Sequence, residues 1–126
     1  MATTEITTEA LRVSLDKERN IVVVPTVRVT IVGARAEVSG YVHVVVYGGE
    51  TTTVHHYEIL VESWTTDVEQ SGLQRTIEYI AARAKVRAEE YVNALKLLTT
   101  LNVEINFRDG VASRSWLPEW LQKYLE

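Results

Sequence analysis

The chain contains no cysteine, which excludes disulfide frameworks, thiolate zinc sites, iron–sulfur clusters and cysteine nucleophiles. Long apolar runs are missing too. No window approaches ~18 uninterrupted apolar residues, so no membrane-spanning helix is expected. The Thr/Glu-rich start lacks a basic stretch, so no secretory leader is expected and the cytoplasm is the expected compartment. Positive charge is in deficit, at a net −4, so no global basic field draws the protein onto nucleic acid or acidic membranes. The few glycines form no phosphate-cradling loop, because no Gly-Lys-Ser/Thr follows Gly33 or Gly48-Gly49. A nucleophile elbow is also absent, and no cofactor is expected.

What remains is an ordinary globular composition. Hydrophobic residues make up 46% and charged residues 24% of 126 positions, enough for one domain spanning 1–126 and too few for two. Arg outnumbers Lys by 9 to 4, Val is abundant, and Met and Gln are scarce, a pattern that fits a heat-adapted source.

The first half reads as strands. Leu11, Val13 and Leu15 alternate with Arg12 and Ser14. Ile21, Val23, Val27, Val29 and Ile31 share one face of a second strand. Gly33-Ala34 closes a type II′ turn onto a third strand, Arg35 to Tyr47. Gly48-Gly49 is read as another two-residue turn, leading into a fourth strand, Thr51 to Trp64. The first turn pairs Ile31 with Ala36, Val29 with Val38 and Val23 with Val44. The second would pair Val44 with Thr53, Val42 with His55, Gly40 with Tyr57 and Val38 with Ile59, and would bring Arg35 opposite Glu62. Apolar residues then meet across three strands, and Tyr57 would cover Gly40. Pro25 lacks an N–H on the side of the first strand, so that strand should pair only as far as Leu11. Residues 26–32 are left with an edge that needs a cover.

From Ser71, a plausible N-cap, apolar residues recur every three or four positions through Leu98, which predicts one long helix across a sheet face. Leu101, Val103, Ile105 and Phe107 alternate as a fifth strand. Asp109-Gly110 forms a turn into Val111 and Ala112, and Pro118 starts a terminal helix. The predicted fold class is α+β: a mostly antiparallel sheet of four to five strands, one long helix on one face and a short C-terminal helix.

The register generates one chemical constellation. His43, His56 and Glu58 fall on the face away from the long helix, with His43 diagonal to His56, and two imidazoles plus a carboxylate suit zinc or iron. The plainer reading is a half-covered polar face with Tyr41 stacked on His56 and Arg28 bridged to Glu58. His55, on the helix-covered face, reads as a neutral core histidine. Arg83, Lys85 and Arg87 form a basic stretch that Arg75 could extend toward nucleic acid, but Glu89 and Glu90 follow at once and favour local ion pairs. The C-terminal segment carries Trp116, Trp120, Leu121 and Tyr124, an aromatic stripe that either packs on its own sheet or docks a second subunit.

The whole chain resembles the small proteins encoded by spherical viruses of hyperthermophilic archaea. The likeness rests on its length and its Val/Thr/Arg/Glu-rich, Cys-free style, as in Ile21-Val-Val-Val-Pro-Thr-Val-Arg-Val-Thr-Ile-Val-Gly. It implies a viral protein in a hot host cell's cytoplasm, and carries no functional residues across. The leading expectation is a non-enzymatic, self-associating interaction or structural protein, a homo-oligomer and most simply a dimer. The rival is a metal-dependent hydrolase built on His43, His56 and Glu58. A nucleic-acid accessory protein is the third.

Overall fold

A computed structural model describes residues 2–49 and 51–126. Its elements are β1 (Ala2–Thr7), β2 (Leu11–Ser14), β3 (Arg19–Val32), β4 (Arg35–Gly48), β5 (Thr53–Asp67), α1 (Gln70–Thr100), β6 (Val111–Ser113) and α2 (Glu119–Gln122). All strand pairs are antiparallel, in the order β1-β3-β4-β5-β6, with β2 beside β1 on the outer edge of β3. The α+β class is as the sequence predicts. No helix among the described residues is long and apolar enough to cross a membrane.

The β3–β4 hairpin follows the expected register along its whole length: Ile31 faces Ala36, Val29 faces Val38 and Val23 faces Val44. Gly33 takes φ 61 while Ala34 stays out of the positive-φ region, as a type II′ turn requires. The open edge that Pro25 leaves is filled by the chain's own start. β2 pairs no further than Leu11 with Val23, and β1 resumes at Thr7 opposite Thr26. Between them the amide and hydroxyl of Thr8 reach the Pro25 carbonyl at 3.3 and 3.4 Å. Thr and Ile in β1 are the β-branched residues a pleated edge favours.

The β4–β5 register differs from expectation. The link runs from residue 49 to 52 rather than over Gly48-Gly49, so Val44 faces Tyr57 and Val42 faces Ile59. A displacement of four residues is even, so His55, Tyr57 and Ile59 keep the helix face. A bulge at Gly40/Tyr41 then leaves Val61 unpaired and reverses the faces beyond it. Glu62 and Trp64 swing to the helix side, where Glu62 meets Arg83 at 3.3 Å and Trp64 meets Tyr79. The Arg35–Glu62 pair gives way to Arg35–Asp67 at 2.8 Å. Gly40 is covered by the helix, not by Tyr57. A Cβ there would stand 2.8 Å from Cγ2 of Ile80, so glycine is what lets α1 lie so close.

α1 has 31 residues, about 46 Å at ~1.5 Å each. Glu69, not Ser71, is its N-cap, and no side chain closes that end. At the other end Asn102 adopts φ 56, its amide bonds Thr99 O at 3.1 Å and Val103 N bonds Leu98 O at 3.0 Å, a Schellman closure. That closure uses the amides with which the expected fifth strand would begin. Leu101 and Val103 are exposed, and residues 103–108 form no strand. With β3's outer edge taken by β1 and β2, the pairing falls instead to β6, which joins β5 at Thr53–His55.

The core has two sides. Under α1, Val23, Val42, Val44 and Ile21 pack with Ala88 and Val92, and Val27, Val29, Ala36 and Val38 pack with Ile80. On the opposite face Val22, Val24, Val45 and Val54 are covered by Leu117, Leu121 and Leu125. The terminal segment thus docks on its own sheet through its leucines. Leu121 is 0% exposed and Trp116 78% exposed, with Trp120 and Tyr124 half-buried between them. Of the expected interface residues Trp116, Trp120, Leu121 and Tyr124, three are therefore internal contacts, and Arg12 locks the segment by donating to Tyr124 O at 2.7 Å. Leu121→Ala should cost about 2–5 kcal/mol in denaturant unfolding, whereas Trp116→Ala should stay within about 0.5 kcal/mol. Equal costs for the two would contradict this packing.

Candidate functional site

On the face covered by the terminal segment, pairing sets Arg28 beside Ser39, Tyr41 beside Leu60, His43 beside Glu58 and Val45 beside His56. Position 43 is internal because β4 is covered on both faces, and His43 is 1% exposed. Its Nδ1 lies 2.9 Å from Nε2 of His56, and the two rings lie nearly parallel, 5.2 Å apart. Trp120 closes over His43 edge-on at 5.0 Å. The second nitrogen of His43, Nε2, is buried without a partner among the described residues.

Beside the histidines runs an ionic network. Arg28 bonds Glu5 of β1 through Nε, reaches Glu58 of β5 at 3.1 Å, and lies 4.4 Å over the Tyr41 ring. One guanidinium therefore ties the first strand to the fifth across the sheet. Burial disfavours its charge, yet the bonds to Glu5 and Glu58 outweigh this and hold it more firmly protonated. The expected Arg28–Glu58 bridge forms, although not across Ser39, whose hydroxyl meets Ser63 at 2.8 Å.

Burial pushes His43 down to about 4, against the pull of Glu58, with His56 and Arg28 adding to the fall. Burial likewise lowers His56, opposed by Glu58. The pair is thus held neutral, one ring donating to the other.

The structure brings His43, His56 and Glu58 to one face, as expected. Each histidine spends a nitrogen on the other, and Glu58 is engaged by Arg28. Among the described residues no group of three or more His, Asp or Glu is placed to hold a metal. His55 bonds the Asp109 carbonyl at 2.8 Å and stacks on Tyr57, but it is half-buried there and not the core histidine expected. The basic stretch of α1 does not form one patch. Arg83 pairs with Glu62 and Arg87 with Glu90, while Lys85 falls about 200° round the helix from either. Arg75 is exposed eight residues before Arg83.

Glu5 is the member of this site that sequence reasoning missed, and Trp120, expected in the aromatic stripe, was not expected against His43. Both come from chain ends whose docking positions periodicity does not give. For Glu5 a signal existed, because β-branched residues beside it and an uncovered edge at 26–32 belong together.

No protein-family model, curated protein or solved structure matches the chain. The site defines a class on its own: a neutral histidine pair in a two-faced sheet, His43 buried and His56 half-buried beside it. Surface depressions of about 150–330 Å³ elsewhere on the described chain are lined by other residues.

The histidine pair has a measurable consequence. An unfolded His43 takes up its proton near pH 6.5 and the folded one only near 4. Between those values the unfolded state binds more protons. Stability is therefore complete above about pH 6.5 and falls as pH drops toward 4, by on the order of 3 kcal/mol. Thermal unfolding followed from pH 7 to 5, above the range of ordinary carboxylates, should show this slope in the native chain and a smaller one in His43→Leu. An unchanged slope would remove His43 as its source.

Proposed function

We propose that this chain is a non-enzymatic structural or interaction protein that self-associates, and that the outer edge of β5 pairs with the same edge of a second copy. The observation that carries the reading is an open strand. β6 covers β5 only at Thr53–His55, and the Gly110 carbonyl accepts from His56 N at 2.7 Å. Among the described residues nothing pairs with the outer side of 58–67. Unpaired backbone groups over such a length are a template for another strand.

Side chains beside the edge support a second copy as the occupant. Leu60 is 55% exposed on one face and Trp64 51% exposed on the other, where exposed Tyr79 and Val86 of α1 extend the apolar strip. The acids along β5 are each already paired within the chain, Glu58 with Arg28 (which Glu5 shares), Glu62 with Arg83 and Asp67 with Arg35. Two identical edges can therefore approach without the repulsion that three bare carboxylates would create. A two-fold axis makes such a contact self-complementary and closed. The Cys-free, Arg-rich composition supports a heat-adapted origin, in keeping with a likeness to small archaeal-virus proteins.

The mass in solution tests this. Light scattering on the native chain should give twice 14.3 kDa. Leu60→Lys combined with Trp64→Lys should give the single-chain mass with the fold intact by circular dichroism, since lysines on an edge strand oppose pairing. A native chain that stays single at the highest soluble concentration would overturn the reading, as would a double variant that keeps the doubled mass.

A further inference from the structure

Three buried side-chain atoms that meet no partner among the described residues lie along one line of the sheet: Glu5 Oε2 on β1, Thr26 Oγ1 on β3 and His43 Nε2 on β4. Glu5 faces Arg28, two residues along β3 from Thr26. Thr26 faces Tyr41, two residues along β4 from His43, and His43 faces Glu58, two residues along β5 from His56. Each step crosses to the next strand and advances by two residues in the same direction, so all four side chains share the face under the terminal segment. A polar diagonal, Glu5–Thr26–His43–His56, thus cuts across a face that also holds Val22, Val24, Val45 and Val54.

The last link of the diagonal is direct, with His43 Nδ1 2.9 Å from His56 Nε2. The earlier links are not. Diagonal neighbours on a sheet stand about 7–8 Å apart between backbones, beyond the reach of a threonine side chain, but one water with a bond of ~2.8 Å on each side spans the remainder. Both interior members are sealed from solvent, Thr26 and His43 each being 1% exposed. Buried polar atoms of native proteins are met by protein or by ordered water, and internal waters gather where several such atoms converge. Room comes from the middle row, where Thr7 and Thr26 face each other with small side chains between the longer Glu5–Arg28 and Val24–His43 rows.

The chemistry of the atoms selects the occupant. Glu5 Oε2 only accepts, the Thr26 hydroxyl donates and accepts, and Nε2 of a neutral His43 does one or the other according to its tautomer. Arg28, bonded to Glu5, opposes a cation there, and Glu5 itself opposes an anion. A small neutral molecule that both donates and accepts satisfies all three. We propose that this diagonal is a binding site for internal water, one molecule joining His43 Nε2 to Thr26 Oγ1 and another joining Thr26 Oγ1 to Glu5 Oε2. The result is one hydrogen-bonded line across β1, β3, β4 and β5, from the Arg28 ion pairs at one end to half-buried His56 at the other. The site is independent of the β5 edge and stands or falls apart from self-association.

Oxygen-17 relaxation dispersion of water in a solution of the full chain tests it, because that signal counts long-lived internal water and is blind to exchanging hydroxyl and imidazole protons. The native chain should show such a contribution. Thr26→Val should lose most of it, and Thr26→Ser, which keeps the hydroxyl, should retain it. Thermal unfolding gives a second readout, since valine has nearly the shape of threonine. A hydroxyl bonded to water gives Thr26→Val a lower midpoint than the native chain, whereas a hydroxyl with no partner at all gives it a higher one. A native chain without the dispersion, an equal amplitude in Thr26→Val, its loss in Thr26→Ser or a raised midpoint in Thr26→Val would each overturn the proposal.

Discussion

The structure depends on a hairpin that is buried on both faces. From Ile21 to Val27 every residue of β3 is inside, and β4 is inside from Val42 to Tyr47. A sheet buried on one face needs one cover; this one needs two, and the second half of the chain supplies both. α1 lies on one side, and the short terminal segment with Leu117, Leu121 and Leu125 lies on the other. A helix of a few residues has no stability of its own in water, so the terminal segment exists as structure because the valines beneath it require a lid.

Burial on both faces also explains the chemistry of the site. His43 sits where a valine would suffice, and the low-dielectric surroundings that favour Val24 and Val45 there disfavour an imidazolium. The pairing with His56 and the edge of Trp120 are what a histidine needs to remain neutral in such a place. Arg28 meets the same problem differently, staying charged because Glu5 and Glu58 flank it. The two solutions lie side by side on one face and tie β1, β3, β4, β5 and the terminal segment together.

Edges follow the same economy. β1 and β2 cover the outer side of β3, and Pro25 marks the place where one hands over to the other. On the other side β6 is only three residues long, and the bulge at Gly40/Tyr41 turns Trp64 toward α1 instead of leaving it with the residues around Tyr41. The result is an asymmetric sheet, sealed along β3 and open along β5.

The sequence by itself determined the α+β class, the β3–β4 register, the long helix and the break at Pro25. Each of these rests on a local signal: a period of two or of 3.6, a turn glycine, a missing N–H. It also placed His43, His56 and Glu58 on one face, because parity survives a register shift of four residues. Tertiary structure alone decided which residue faces which across β4 and β5, since that depends on the length of the 49–52 link and on one bulge, neither of which alters periodicity. It decided that 103–108 would not be a strand, because alternation permits pairing but cannot supply a free edge. It also placed Glu5 and Trp120 in the site, since contacts between chain ends and the middle of the sheet are set by the surface left uncovered once everything else has packed.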